Sequence, residues 1–430
     1  MVHEHESGPA VNMPYFFLSY ARTPKRDQND KSDPDRWVYK LYRDLCENIL
    51  SLINVEPESV GFMDRENRLG VRWSEELTRA LATCRVFVPL YSERYFESEN
   101  CGKEWFAFAR RELTHIARGP QPSMSAIVPV LWTTIDQSIL PGAARSIQYN
   151  HRDLGARYCA DGFYGIIKLN RYRDDYQLAV LRLAQRIVAV ARETRISNEP
   201  PADYDALPSA FPPAPHRAGM TASDMQITVL ALDNSNLPAG RTDAYYGNTP
   251  RTWSPYRPHY SQPLAEYAGK LAKCSGYEPV VGTFDEHNAR WAINGQPVPP
   301  VLCLIDAWAS LSPAYQDQLR QLDAIEQPWV SVLVPWNVQD AEMTAAEKDL
   351  RVSLNSLLNR KLASVPRRCQ MAAYGIPTLP DFGDLLPRMA MIMMKRFRRD
   401  ESTPAYPPEG PATERPRLRR TDSQGSGGSK

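Results

Sequence analysis

The chain has little that would place it in a specialised chemical class. Its seven cysteines are scattered through 430 residues, and none forms a C-x-x-C pair. An odd count without framework spacing excludes a disulfide scaffold and fits reduced thiols. The seven histidines are equally dispersed. No metal-ligand spacing results, so no bound metal and no resident cofactor is expected. No run of about 18 apolar residues exists; "MAMIMM" (Met389–Met394) is far too short to cross a bilayer. The formal net charge is only +1, which removes the bulk field that nucleic acid or an anionic membrane selects. "MVHEHESGPAVN" lacks the basic and apolar regions of a secretory signal and reads as a disordered leader over residues 1–12. Together these absences predict a cytoplasmic protein with neither a nucleic-acid nor a membrane partner.

What is present is ordinary globular composition, 43% hydrophobic and 23% charged, in a chain too long for one core. Proline marks the divisions. "SNEPPADYDALPSAFPPAPHRAG" (Ser197–Gly219) reads as a semi-extended linker, taken here to span 197–223. "DESTPAYPPEGPATERPRLRRTDSQGSGGSK" (400–430) has no apolar periodicity and reads as a disordered tail. Two folded blocks remain, 13–196 and 224–399.

In the first block "YFFLSY", "SVGFMD", "RVFVPLYS" and "AIVPVLW" are short apolar runs, as buried strands should be. Between them Trp37, Leu41, Leu45, Ile49 and Leu52 recur at helical spacing. "SEELTRALATC" reads as a helix with Ser74 as N-cap and Leu77 and Leu81 on one face. "DDYQLAVLRLAQRIVAVARE" reads as a long amphipathic helix with Leu178, Leu181, Ile187 and Val188 inward. Strand–helix alternation with near-continuous apolar strands predicts a parallel sheet covered on both faces. The second block repeats the pattern, with strands at "QITVLALD", "YEPVVGTFD", "VLCLID" and "WVSVLVPW". Its helices fall at "SQPLAEYAGKLAKC", "SPAYQDQLRQLDAIE", "TAAEKDLRVSLNSLLNRKLA" and "GDLLPRMAMIMMKRFRR". The fold class is therefore α/β: two flavodoxin-like parallel-sheet units, the second smaller, on a proline-rich tether. Ligands of such sheets bind outside the carboxyl ends of the strands. The loops after Ser19, Asp64 and Ser92 are the places to search.

Those loops carry a pattern. "YFFLSYAR", "DRENRLGVRWSEEL", "SERYFESENCGKEW" and "AIVPVLW", in that order, resemble the TIR domain family over roughly residues 13–196. The two-block layout with its proline linker resembles the FxsC group of TIR-like proteins. That group implies an accessory role beside a radical SAM maturase and its FxSxx-COOH peptide. The TIR resemblance implies either of two uses: assembly with like domains in signalling, or cleavage of NAD as substrate. It places Glu104 on the family's catalytic glutamate. Such cleavage passes through an oxocarbenium-like state, which a carboxylate beside the ribose stabilises. Nicotinamide leaves as a neutral group, so one carboxylate suffices.

Around it Trp73 and Trp105 offer apolar faces for a base, and Ser19 stands at a strand end. Arg22, Arg65 and Arg68 carry the geometry for pyrophosphate. Arg65, Glu66, Arg68, Gly70 and Arg72 form a polar loop suited to assembly contacts. Each residue has a plainer role as well. Glu104 fits a helix-start carboxylate favoured by the helix dipole. Trp105 fits a core anchor, Cys101 a small buried residue, and the arginines solvated charge. A third use of the fold is a small-molecule binder without catalysis. The second block has nothing resembling the Cys-x-x-Glu motif and is expected to be inactive.

Overall fold

The computed structural model describes residues 13–24, 33–64, 71–119, 124–145, 147, 149, 151–211, 224–294 and 298–401. The expected leader, most of the tail, residues 212–223 of the linker and residues 65–70 lie outside these.

The first unit is built on strands β1 (Phe16–Ser19), β2 (Gly61–Met63), β3 (Val86–Tyr91) and β4 (Val130–Leu131). They run parallel in the order β2-β1-β3-β4. Every residue of β1 and β3 is buried, because helices cover both faces and leave no polar side for alternation. Helices α1 (Arg36–Leu52), α2 (Val71–Thr83), α3 (Glu93–Glu97), α4 (Glu99–Arg118), α5 (Gly142–Arg145), α6 (Ala156–Lys168) and α7 (Arg173–Thr194) complete the unit. In α1, Val38, Leu41, Leu45 and Ile49 face the core, as their spacing requires.

Two local expectations fail. α2 starts at Val71, so Ser74 lies inside the helix and not at its cap, where its carbonyl accepts the Thr78 hydroxyl. In α7 the leucines Leu178 and Leu181 are exposed. The buried stripe is instead Tyr176, Ala179, Val180, Leu183, Ala184, Ile187 and Val188. Its small residues suit the close packing of α7 on α1, and close approach sets the inward face more than side-chain size does.

The second unit repeats the architecture. β5 (Asp224–Leu230), β6 (Glu278–Thr283), β7 (Val301–Ile305) and β8 (Val330–Leu333) are parallel in the order β6-β5-β7-β8. Around them lie α8 (Leu264–Cys274), α9 (Phe284–Asn294), α10 (Pro313–Ala324), α11 (Ala341–Ala345), α12 (Glu347–Leu357), α13 (Asn359–Ser364), α14 (Met371–Tyr374) and α15 (Leu379–Glu401). The single helix expected from "TAAEKDLRVSLNSLLNRKLA" is thus broken into pieces. α15 is long and turns Met389, Met393 and Met394 inward while Met391 stays exposed. Among the described residues no helix is long and apolar enough to cross a membrane, and no group of three or more metal-ligating side chains occurs.

The interdomain stretch departs from a semi-extended tether. Over 197–211 it lies on the first unit, with Tyr204, Leu207, Ala210 and Phe211 buried. The two units also touch directly. The Thr114 hydroxyl on α4 is 3.1 Å from the Tyr267 hydroxyl on α8, and the Ser261 amide donates to the Ala117 carbonyl at 3.0 Å.

Candidate active site

In the first sheet β1 is central, and the chain leaves it toward β2 on one side and returns to β3 on the other. At such a reversal open α/β sheets take ligands in a crevice outside the carboxyl ends of the strands, here β1 and β3. Ser19 ends β1, Asp64 follows β2, and Ser92 follows β3. Ser92 caps α3 by accepting the Tyr95 amide, and Ser98 caps α4 by accepting the Cys101 amide. Two caps six residues apart in sequence make a sharp corner. The corner sets Tyr95 and Glu104 against the end of β1.

The result is a chain of hydrogen bonds. The Ser19 hydroxyl donates to Glu104 Oε2 at 2.5 Å and is 2.9 Å from the Tyr95 hydroxyl. Burial pushes the Tyr95 phenol well above its ordinary pKa, so Tyr95 keeps its proton and donates to Ser19. Glu104 lies in the second turn of α4 and is 6% exposed. The helix-dipole reading, which needs a first-turn position, therefore does not hold; Glu99 occupies that turn. Desolvation pushes Glu104 up to about 8, with Asp64 adding to the rise and the Ser19 hydrogen bond and Arg22 opposing it. At neutral pH the carboxyl is held largely protonated.

The other expected residues fall in three groups. Arg22 is close to the site but pairs with Asp64 at 2.5 Å, so its charge is already met by a carboxylate. Trp105 is 1% exposed. Its ring meets Phe87 edge-on at 6.1 Å and stands 6.0 Å from Tyr91 and 5.8 Å from Phe211. It anchors the core and has no face open to a base. Cys101 is likewise buried, its thiol pushed well above the ordinary value, which suits packing and not nucleophilic attack. Arg65, Glu66, Arg68 and Gly70 lie outside the described residues. The backbone of Arg72 and Trp73 opens α2.

Sequence reasoning missed Tyr95 and the interdomain segment. Tyr204 packs beside α4, its hydroxyl 3.4 Å from the Asn100 side-chain oxygen and its ring under Lys103 Nζ at 5.4 Å. It is close enough to Glu104, Cys101 and Asp64 to feel their charge. Phe211 joins the rings of Tyr95, Phe96 and Trp105. The available signal was two aromatics and a leucine inside a proline-rich stretch, more apolar surface than a solvated linker carries.

In the second unit a buried polar cluster lies just past the end of β7. Asp306, just past β7, accepts the Trp308 amide at 3.1 Å and the Tyr246 hydroxyl at 2.9 Å. Arg241 donates to Asp340 at 2.6 Å, to Glu342 at 3.1 Å and to the Tyr246 hydroxyl at 3.0 Å. Its guanidinium stacks 4.1 Å from the Tyr245 ring centre.

Burial of Glu104 has a consequence for stability. Its folded pKa, about 8, lies above the ordinary 4.5. The folded chain therefore holds a proton that the unfolded chain releases, and this contribution is lost as pH rises from the lower value through the higher. Glu104→Gln mimics the protonated form and removes the dependence. Melting curves of the two proteins should diverge in favour of the variant as pH rises from 5 to about 9. A constant difference across that range would mean that Glu104 is solvated. Other buried acids, such as Glu112, act with the same sign but cancel in the comparison.

Comparison with curated proteins gives no match. The family model that matches the chain is that of the TIR domain, over residues 16–158, which takes in β1 through the start of α6 and with it Ser19, Asp64, Tyr95 and Glu104.

Proposed function

We propose that the chain is a TIR-domain signalling protein whose first unit holds a latent NAD glycohydrolase site, closed at rest and opened on assembly. The observation that carries this reading is the Tyr95–Ser19–Glu104 chain at the strand-end crevice. It holds one carboxyl by a proton relay in a desolvated place, where charge stabilisation is strong once the group ionises. Cleavage breaks the bond between nicotinamide nitrogen and ribose carbon. The electron pair leaves with nicotinamide, water adds to the ribose carbon, and that water's proton is released. Ionised Glu104 offsets the positive charge that develops on the ring. Ser19 orients the carboxylate, and Tyr95 orients Ser19. Arg22 reaches a pyrophosphate only by leaving Asp64.

Signalling through assembly, by the loop 65–72, accounts for the resting form. An accessory role beside a radical SAM peptide-maturation system belongs to the same proposal, supported by the two-block layout alone.

The test is nicotinamide release from NAD by the purified chain over a wide range of protein concentration. Release should be slow in dilute solution and rise faster than linearly as molecules associate. Absence of release at every concentration, and from the opened variants described below, would leave assembly as the sole function.

A further inference from the structure

The segment 199–211 crosses the Glu104 site on the same chain, and its seat is built into α4. Gly102 lies in that helix with ordinary helical backbone, so no left-handed conformation requires glycine there. Glycine within a helix costs about 0.5–1 kcal/mol relative to alanine. What the missing side chain accommodates is the segment itself. A Cβ on Gly102 would stand 1.9 Å from Ser209 Oγ, 3.0 Å from Ser209 Cβ and 3.2 Å from the Ala210 amide nitrogen. That amide donates to the Gly102 carbonyl at 3.0 Å. Phe211 and Tyr204 close over either side of this contact.

The near end of the segment is tied to the second unit. Arg110, on α4, reaches Glu199 at 3.4 Å with one guanidinium nitrogen and Asp384 on α15 with another. Its third nitrogen, Nε, is buried and meets no hydrogen-bond partner among the described residues. A Cβ on Gly383 would stand 2.8 Å from the Tyr267 hydroxyl on α8, so its absence lets α15 lie close against α8 beside Arg110. One guanidinium is thus shared between the first unit, the segment and the second unit. A side chain shared in this way is the kind of contact network through which coupling between parts of a chain is carried.

We propose that residues 199–211 are a strap that closes the Glu104 site in cis, and that the second unit holds or frees it through Arg110. The regulatory role of the strap rests on the reading of Glu104 as the NAD-cleaving group; the strap itself does not. A partner that draws α15 away from α4 would strip Asp384 from Arg110, loosen Glu199 and lift Tyr204 and Phe211 from the crevice.

The experiment uses the full chain and three substitutions. Gly102→Ala favours the helix and clashes only with the strap. Phe211→Ala removes the anchoring ring. Asp384→Asn removes the second unit's carboxylate, whose side chain is 49% exposed. Hydrogen exchange of the peptide covering 204–211 reports the strap, melting curves report folding, and nicotinamide release from NAD reports the site. Gly102→Ala and Phe211→Ala should speed exchange of that peptide at least about tenfold and raise nicotinamide release by a similar factor. Asp384→Asn should do both to a smaller degree. Unchanged exchange in Gly102→Ala and Phe211→Ala would overturn the strap. Unchanged exchange in Asp384→Asn alone would overturn control by the second unit. Faster exchange without any nicotinamide release would keep the strap and overturn the NAD-cleaving reading of Glu104.

Discussion

Glu104→Gln, introduced into the Gly102→Ala chain, should lower nicotinamide release from NAD by a factor of about 10² to 10³. The amide keeps the shape of the carboxyl and an acceptor for Ser19, but it cannot carry the negative charge that the transition state uses. Folding at neutral pH should change little in this background, because with the strap lifted the Glu104 carboxyl returns toward its ordinary pKa and its ionisation no longer weighs on stability. The pairing of a large rate effect with a small stability effect is what separates chemistry from architecture. Ser19→Ala should act in the same direction with a smaller loss, since it orients Glu104 without replacing its charge. Equal rates with and without the carboxyl would place the activity on another residue.

Arg241→Ala should destabilise the second unit by about 3–5 kcal/mol. Arg241 and Asp340 have side chains only 1% exposed, and Asp306 beside them is fully buried. Removing the cation leaves two carboxyls and the Tyr246 hydroxyl facing one another out of water. The Arg320–Asp317 pair is the natural control, with side chains 57% and 80% exposed; Arg320→Ala should cost no more than about 1 kcal/mol. Chemical unfolding followed separately for each unit reads both, because two units need not unfold together. A loss of similar size in the two variants would mean that the buried cluster is wetter than its contacts imply.

The strands were legible because they are buried on both faces. Phe16–Ser19 and Val86–Tyr91 are continuous apolar runs for that reason, and their order with Gly61–Met63 set the site at the ends of β1 and β3. Helix faces were less legible where alanine carries the contact. In α7 the pattern of leucines pointed to Leu178 and Leu181, yet Ala179 and Ala184 are buried and those two leucines are exposed. Boundaries also slipped: a serine makes a convincing cap only if the helix begins beside it, and α2 begins three residues before Ser74.

The position of Glu104 could be read from its motif, but its chemical state could not. Glu104 lies inside a corner at Ser98, with Tyr204 near enough to feel its charge and Phe211 packed on Tyr95 and Trp105 beside it, both about a hundred residues further along the chain. Composition counts prolines in that later stretch and reports a linker. The apolar anchors that pin it to α4 are few, and only the fold brings them to the crevice.

The central claim is that Glu104 is held neutral beneath residues 199–211 and ionises when they lift. The most direct test is titration of its carboxyl by difference infrared spectroscopy, subtracting the Glu104→Gln spectrum from the parent's. The carboxyl C=O band should persist at neutral pH and disappear around pH 8 in the wild-type chain. In the Gly102→Ala chain the same band should vanish at distinctly lower pH, toward the ordinary carboxylate range. A band that titrates in the ordinary range in both proteins would contradict the account, because it would show that Glu104 faces water with the strap in place.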